Sequence, residues 1–322
     1  MFKRNLISTQ KIIITDGIPS SGKALVCNLV SGLPKVEQWI MNYWFDQILS
    51  LYNLKKINLE TVVNLLKTNH NQLIYDNCLL RHSNFKIDDA TSVTKHPRYK
   101  IIKKRMLESD KKNFEKNKNK MIMHYCTHMI SNFSEPLFKS FTNKLVYIRI
   151  FRSPLNVGML KRLAYFSKIW EKSKSRDGHI KIFDKSSKKN IHHLIYKKKK
   201  NYKNINSYEK AVLILEEIFN LKKLKKIENI SKIYRSKLIT IPFENLIVNP
   251  NKYLQSLSKV LNVKLDKISK KTLAFNNVPR KINLNKEKDE GLRFLENKID
   301  NLHLKKIIKI NKNYENHILN IC

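Results

Sequence analysis

Residues 11–30, KIIITDGIPSSGKALVCNLV, place a strand, a glycine-bounded turn and a helix start in direct succession. The β-branched run at 12–15 predicts a short buried strand. The chain then turns at GIPSSG, residues 17–22, and an apolar pattern with helical spacing begins at Ala24. This order aims several backbone N–H groups and the positive end of a helix dipole at one point. The segment therefore predicts a site for a phosphate or sulfate group.

Length and composition set broad limits on the fold and its partners. The 322 residues suit one large α/β domain or two smaller ones. Because 42% of the residues are hydrophobic, the chain can bury a sizeable core, which excludes wholesale disorder. The formal net charge of +38 favours anionic partners in general. Lysine is spread along the whole chain, so this charge permits an anionic ligand without indicating a specific nucleic acid.

Cysteine spacing and hydropathy point to a cellular setting. The cysteines Cys27, Cys78, Cys126 and Cys322 show no paired spacing. The sequence therefore predicts neither a zinc site nor a disulfide framework, and it favours a reducing compartment. No window approaches the roughly 18 apolar residues that a membrane span needs, and residues 1–10 lack the apolar core of a signal peptide. We therefore predict a soluble, cytoplasmic protein.

Later segments repeat the order of strand and helix. Runs rich in apolar and β-branched residues at 121–125, 144–150 and 237–241 predict three further strands. Helical patterns follow them, including residues 208–230 and 290–310. This alternation predicts parallel strand pairing. We expect an α/β fold with a P-loop-type central parallel sheet flanked by helices on both faces.

We assign residues 1–322 to a single domain with two less regular parts. The stretch near 173–206 is rich in Lys, Ser and Asn, which predicts a mobile insertion or a long loop. From about residue 276 the chain continues as a basic and mostly polar tail. Neither part carries a motif that indicates a substrate.

One interpretation of the glycine-bounded loop is a P-loop kinase. The string GIPSSGKA matches the G-x-x-x-x-G-K pattern of nucleotide-binding P-loops. Ala24, however, stands where such an enzyme needs Ser or Thr to bind magnesium, and no later strand ends in the aspartate that supplies the other metal ligand. Asp16 precedes the loop, on the wrong side of the turn. A nucleotide-dependent kinase thus lacks two parts, and it stays as an alternative.

The second interpretation is a resemblance to the sulfotransferase family, carried by three segments. Residues 17–22 resemble the G-x-P-R-S-G loop that cradles the phosphosulfate of the family's cofactor. Residues 144–158, KLVYIRIFRSPLNVG, resemble a strand running into R-D-P-x-D-V, and residues 239–261 resemble the family's "yEdL…dP…fL" segment. The order and spacing of the three segments match the family over roughly residues 10–265.

The resemblance implies transfer of a sulfuryl group from 3′-phosphoadenosine 5′-phosphosulfate to a hydroxyl, without an obligatory metal. The absent magnesium ligands are then no defect. It assigns the 3′-phosphate to Arg152, with Arg280 and Lys281 as a late basic loop that closes over it. It assigns the sulfate and the 5′-phosphate to the loop residues Pro19, Ser20, Ser21, Gly22, Lys23 and Ala24.

The chain departs from the family pattern in both phosphate-binding segments. Ser20 stands where the family has Arg or Lys, and Lys23 begins the pair that replaces Thr-Thr. Lys23 then restores the positive charge from another position, so we count it among the catalytic candidates. Leu160 replaces a serine that binds the 3′-phosphate, with Lys161 or Arg162 as substitutes.

Three residues are candidates for the general base. His128 follows Thr127, which resembles the Thr-His pair of cytosolic sulfotransferases, and a neutral imidazole suits proton transfer near pH 7. Glu37 is the runner-up, since the carbohydrate-modifying branch of the family places a Glu thereabouts. His124 is a third candidate. Glu244 matches the Glu of "yEdL", which we interpret as a brace for the helix that follows.

The acceptor stays open among sugars, lipids, peptides and small alcohols, with a glycan as one hydroxyl-bearing class. Of the aromatic residues Tyr165, Phe166 and Trp170, we assign most to the core and leave adenine stacking as an alternative for one of them. A further alternative is a non-catalytic sulfotransferase-like protein that binds polyanions through its lysines.

Overall fold

A five-stranded parallel sheet forms the centre of the computed structural model, which describes residues 4–8, 10–171, 180–185, 188–196 and 205–320. In chain order the strands are β1 (Ile12–Gly17), β2 (Ile40–Met41), β3 (Met123–His128), β4 (Leu145–Phe151), β5 (Lys181–Asp184), β6 (Lys189–His192) and β7 (Lys237–Pro242). The sheet has the order β2-β3-β1-β4-β7, while β5 and β6 form a separate antiparallel pair. The predicted fold class is confirmed.

Helices account for most of the remaining described residues. They are α1 (Lys23–Ser31), α2 (Tyr43–Asn53), α3 (Leu59–Cys78), α4 (Tyr99–Lys103), α5 (Asp110–Asn117), α6 (Glu135–Phe141), α7 (Val157–Glu171), α8 (Ser207–Ile218), α9 (Leu221–Ile233), α10 (Phe243–Val248), α11 (Pro250–Leu261), α12 (Lys267–Phe275), α13 (Leu284–Glu296) and α14 (Asn301–Tyr314). Within the described ranges, none of them combines the length and the apolar content that crossing a membrane requires.

Helices cover both faces of the sheet because alternate strand residues point to opposite sides. Ile12 of β1 joins one apolar core with Phe45 of α2. Its neighbour Ile13 joins a second core with Val26 of α1 and Leu257 of α11. Every residue of β1 is buried, as expected for the central strand of a parallel sheet covered on both faces.

The strands β1, β3 and β4 end at the same level. Gly17, the last residue of β1, lies opposite His128 of β3 and Ile150 of β4. Because β1 has a strand on each side, the loop after it meets the ends of both neighbours at one crevice. In open parallel sheets this carboxyl edge is the usual position for a ligand.

Two predicted helices are each interrupted in the structure. The pattern at 208–230 divides into α8 and α9, because the Asn220 side chain caps α9 by accepting from the Lys223 N–H (3.2 Å). The pattern at 290–310 divides between α13 and α14, because Asp300 caps α14 by accepting from the His303 N–H (2.7 Å). In both cases the apolar spacing continues across the break, so periodicity alone does not reveal it.

Secondary structure is present in the Lys-rich stretch and in the basic tail, where the sequence predicted one helix. In the stretch near 173–206, β5 and β6 pair, while 172–179, 186–187 and 197–204 lie outside the described residues. The part beyond residue 276 contains α13 and α14, and Leu295 and Tyr314 are buried in the same core as Phe45. The basic tail therefore contributes apolar side chains to the interior.

Candidate functional site

The loop between β1 and α1 turns through left-handed backbone at Ser20 (φ 66°) and Gly22 (φ 94°). A Cβ at Gly22 would lie 2.1 Å from the Phe243 ring, so this position needs glycine for its conformation and for its space. Helix α1 begins directly afterwards at Lys23. The N–H groups of its first turn have no partner within the helix and point along the axis toward the loop.

Two loop side chains lie beneath this turn. Ser21 is fully buried, and its Oγ has no hydrogen-bond partner among the described residues. Lys23 is only 7% exposed, and its Nζ donates to the Gly17 carbonyl oxygen (2.6 Å). The lysine charge therefore sits at the end of β1, under the loop, and not in solvent.

Arg152 reaches the loop from the end of β4. Its Nη1 donates to the Ser20 carbonyl oxygen (3.2 Å), and its guanidinium carbon lies 4.6 Å from the centroid of the Phe243 ring. Its Nε is buried and has no hydrogen-bond partner in the part of the chain that the structure describes. A guanidinium that is held in place but incompletely paired suits contact with a phosphate.

Glu244 braces the chain that carries Arg152. One of its carboxylate oxygens accepts from the Ser153 N–H (2.8 Å), and the other accepts from the Tyr314 hydroxyl. Burial raises the pKa of Glu244 above its usual range. These contacts tie the end of β4 to α14, whereas the sequence predicted a brace for the helix that follows Glu244.

His128 at the end of β3 is held by Asp46 of α2. The His128 backbone N–H donates to Asp46 Oδ1 (2.9 Å), and His128 Nδ1 lies 3.0 Å from Asp46 Oδ2. The Tyr43 ring stacks on the imidazole at a centroid distance of 5.6 Å. Our sequence predictions did not include Asp46. The sequence feature that points to Asp46 is a carboxylate on the apolar side of a helix, beside Phe45 and Leu49.

Burial sets the protonation of this pair. Burial lowers the pKa of His128 below 6.5, the Lys23 ammonium lowers it further, and Asp16 opposes this. Burial raises the pKa of Asp46, as does Asp16, whereas the His128 N–H and Lys23 lower it. The imidazole is therefore neutral at pH 7, the form that accepts a proton.

Two polar residues near the site are engaged in internal hydrogen bonds. The Asp16 carboxylate accepts from the Thr127 hydroxyl (3.1 Å) and from the Ser131 backbone N–H (2.9 Å). His124 is fully buried, and its Nε2 lies 2.9 Å from Thr15 Oγ1. Burial lowers the pKa of His124 to about 3. Asp16 thus organises the chain after β3, and His124 has no surface for an acceptor.

The loop, Arg152 and His128 line one open cavity of about 590 Å³. The described residues that line it come from the loop, the strand ends and the neighbouring helices: Pro19, Ser20, Gly22, Lys23, Ala24, Trp39, Met41, Tyr43, Cys126, His128, Arg152, Arg162, Phe166 and Trp170. The cavity therefore combines the β1–α1 loop, two arginines, a histidine and several aromatic faces.

Helix α7 supplies the second arginine of this cavity. The Arg162 guanidinium carbon lies 4.6 Å from the centroid of the Phe166 ring. Leu160 is buried in the core, and Lys161 Nζ lies 5.3 Å from the centroid of the Phe294 ring. Of the two substitutes considered for the missing serine, Arg162 is the one in the cavity.

Besides Ser21 and His124, which are fully buried, three of the predicted site residues lie outside this lining. The Glu37 carboxylate accepts two hydrogen bonds from the Arg105 guanidinium (2.7 and 2.8 Å) and one from Asn77 (3.0 Å). Although burial raises it, the pKa of Glu37 is lowered overall by Arg105. Arg280 and Lys281 are exposed and follow α12. The structure brings together His128, Arg152 and the loop, but not these three.

Among known proteins, no family model and no curated protein matches this chain. A sulfotransferase domain from the curacin biosynthetic pathway is similar to this chain, with 14% sequence identity and a TM-score of 0.42. The match covers 96% of this chain and 98% of the curacin domain. The sulfotransferase domain of the Synechococcus PCC 7002 olefin synthase is similar over 97% and 98%, with 12% identity and a TM-score of 0.42.

A third similar structure is the sulfotransferase STF9 from Mycobacterium avium. It covers 89% of this chain and 76% of its own length, with 11% identity and a TM-score of 0.40. These three solved structures are sulfotransferases.

Proposed function

We propose that this protein is a sulfotransferase that moves a sulfuryl group from 3′-phosphoadenosine 5′-phosphosulfate to an acceptor hydroxyl. One observation carries the proposal: the anion loop, Arg152 and His128 line the same cavity. An anion cradle, a cation and a neutral base are the groups that this reaction needs together. Their convergence follows from the level ends of β1, β3 and β4.

The polar groups of the loop fit an anionic cofactor. Ser21 Oγ and Arg152 Nε are both buried, and neither has a partner among the described residues. Such atoms are rare in proteins unless a ligand or water satisfies them. The first-turn N–H groups of α1 add donors at the same place. When bound, the cofactor supplies a sulfuryl group whose bond to the 5′-phosphate breaks with its electron pair leaving on the phosphate oxygen.

We assign the cations to different parts of that cofactor. Arg152 would hold the 3′-phosphate, with Arg162 in place of the serine that the family uses. Lys23 would stabilise the charge that develops near the loop, from its position beneath Gly17. Arg280 and Lys281 lie outside the cavity lining. We keep them in the proposal only as the late basic loop that would close over the 3′-phosphate.

His128 would accept the proton of the acceptor hydroxyl. Its neutral form is populated at pH 7, because burial lowers its pKa. The faces of Tyr43, Phe166 and Trp170 supply apolar surface for the acceptor, and sugar rings are one class that such faces bind. We therefore keep a carbohydrate as one acceptor class within the proposal.

A magnesium-dependent kinase has less support. Ala24 offers no hydroxyl for a metal, and the Asp16 carboxylate already accepts from Thr127 and Ser131. A kinase at this loop would have to recruit a carboxylate from elsewhere. The sulfotransferase needs no such addition.

Calorimetric titration with 3′-phosphoadenosine 5′-phosphate in EDTA tests the proposal. We expect binding to the full chain, and a loss of about 10- to 100-fold in affinity for Arg152→Gln, because charge-assisted hydrogen bonds are worth roughly 1.5–3 kcal/mol. Arg81→Gln is the matched control, since the half-exposed Arg81 side chain contacts Asp110 and the Tyr75 ring and does not line the cavity. Its affinity should equal that of the wild type.

Three results would contradict parts of this proposal. If millimolar 3′-phosphoadenosine 5′-phosphate gives no heat of binding, the cofactor assignment is wrong. Binding of ATP that requires magnesium would favour the kinase. Binding with no transfer to any acceptor, combined with a steep salt dependence for polyanions, would favour the non-catalytic alternative.

A further inference from the structure

One carboxylate contacts His128 at two points. Asp46 Oδ1 accepts the His128 backbone N–H (2.9 Å), and Asp46 Oδ2 lies 3.0 Å from His128 Nδ1. Asp46 is 1% exposed, so water does not compete for either oxygen. Because one contact is to the backbone and the other to the ring of the same residue, the carboxylate cannot rotate without breaking both.

The surrounding elements hold this pair in place. Asp46 lies in the first turn of α2, whose Asn42 cap accepts from the Phe45 N–H (3.2 Å). Tyr43 of the same turn stacks on the imidazole, with an interplanar angle of 4°. The ring is therefore clamped on one face and at one nitrogen, and it borders the cavity.

We propose that Asp46 is the positioning residue of this site, holding His128 in the tautomer that carries its proton on Nδ1. The inference rests on the proposed role of His128 as the base. With Nδ1–H donating to Asp46, the lone pair of the ring is on Nε2. The hydroxyl proton passes to Nε2, and the imidazolium that results still donates through Nδ1 to the carboxylate.

The charged groups facing the pair come from two other elements. Lys23 of α1 and Asp16 of β1 act on both members. Burial raises the pKa of Asp46 most strongly and Asp16 adds to this, whereas the His128 backbone N–H and Lys23 lower it and favour the ionised form. Burial and Lys23 both favour a neutral His128. A protonated Asp46 would donate to Nδ1 and leave the ring proton on Nε2, which is the opposite tautomer.

The substitution Asp46→Asn is informative because the amide has only one good orientation. Its oxygen must accept the His128 backbone N–H, which is a fixed donor. The amide nitrogen then faces Nδ1 and donates to it, so the ring proton moves to Nε2. The variant keeps the shape of the site but removes the lone pair from the nitrogen that we assign as the base.

Long-range ¹H–¹⁵N spectra of the histidine-labelled protein measure the tautomer without cofactor or acceptor. We expect the Nδ1–H tautomer for His128 in the wild type and the Nε2–H tautomer in Asp46→Asn. Signals of His128 are identified by their loss in His128→Gln. His124, which bonds to Thr15 and not to Asp46, is the internal control and should be unchanged.

Turnover supplies the second measurement. For Asp46→Asn we expect kcat to fall about 10²- to 10⁴-fold, the usual contribution of a general base, with KM and the affinity for 3′-phosphoadenosine 5′-phosphate unchanged. A wild-type Nε2–H tautomer would overturn the inference, and this reading does not depend on whether the variant folds. An unchanged kcat in a variant with the Nε2–H tautomer would overturn it equally. Absence of cofactor binding in the wild type would instead overturn the proposed function and leave the tautomer result intact.

Discussion

At the scale of single residues, His128 combines three properties that a base requires. It is neutral because burial and the Lys23 ammonium lower its pKa. It is oriented because Asp46 contacts both its backbone and its ring. It borders the cavity that also contains Arg152. Glu37 is not available as a base in this way, since its carboxylate accepts hydrogen bonds from Arg105 and Asn77.

The lowered pKa of His128 predicts the pH dependence of turnover. Because the pKa lies below 6.5, the imidazole stays unprotonated as the pH falls from 8 to 6.5. We expect kcat to be level over this range and to decline only at lower pH. A decline that begins above pH 6.5 would contradict the assignment. The residual rate of His128→Gln should lack the same inflection.

At the scale of elements, the β1–α1 unit depends on close packing at Gly22. Its φ of 94° and its approach to Phe243 connect the anion loop to the start of α10. The Arg152 guanidinium also stacks over the Phe243 ring. The loop, the end of β4 and the start of α10 therefore form one packed unit.

Gly22→Ala should destabilise this unit. The left-handed backbone alone costs an alanine roughly 1–2 kcal/mol, and displacement of the Phe243 ring adds to that. We expect the free energy of unfolding in urea to fall by at least about 1–2 kcal/mol, with weaker binding of 3′-phosphoadenosine 5′-phosphate. Gly158→Ala in α7 is the control, because a Cβ there meets only Asn156 Oδ1, at 3.3 Å. Equal losses in both variants would contradict this account.

At the scale of the whole molecule, several histidines are buried in the neutral form. Burial lowers the pKa of His70, His124 and His193 to about 3, and that of His96 to about 4. In the unfolded chain each has a pKa of about 6.5. Below that pH the unfolded state binds more protons, so acid favours unfolding. The raised pKa values of Asp46 and Glu244 act with the opposite sign.

We therefore expect stability to fall as the pH drops from 7 to 5. Each buried histidine contributes about 1.4 kcal/mol per pH unit once the pH is well below 6.5. His70→Gln should reduce the slope of unfolding free energy against pH by about that amount. His70 suits the test because it bonds to Tyr125 in the core and lies outside the cavity lining. A slope that is unchanged in the variant would contradict this origin.

Local patterns were sufficient to predict much of the fold. Runs of apolar and β-branched residues identified β1 and β4, because burial on both faces of a parallel sheet leaves a continuous apolar signal. A similar run identified β7, although this strand lies at the edge of the sheet and only its last two residues are buried. The breaks at Asn220 and Asp300 escaped prediction, because the apolar spacing continues across both. Of the site, the loop and Arg152 follow from their positions at strand ends.

Local sequence patterns alone indicate the loop after β1, the strands that end beside it and the residues at those ends. How the helices pack on the sheet determines which further polar side chains contact these residues. Asp46 and His128 are 82 positions apart and meet because α2 packs beside β3. Glu37 and Arg105, 68 positions apart, pair away from the cavity. Such contacts depend on how elements pack, and local periodicity carries no information about them.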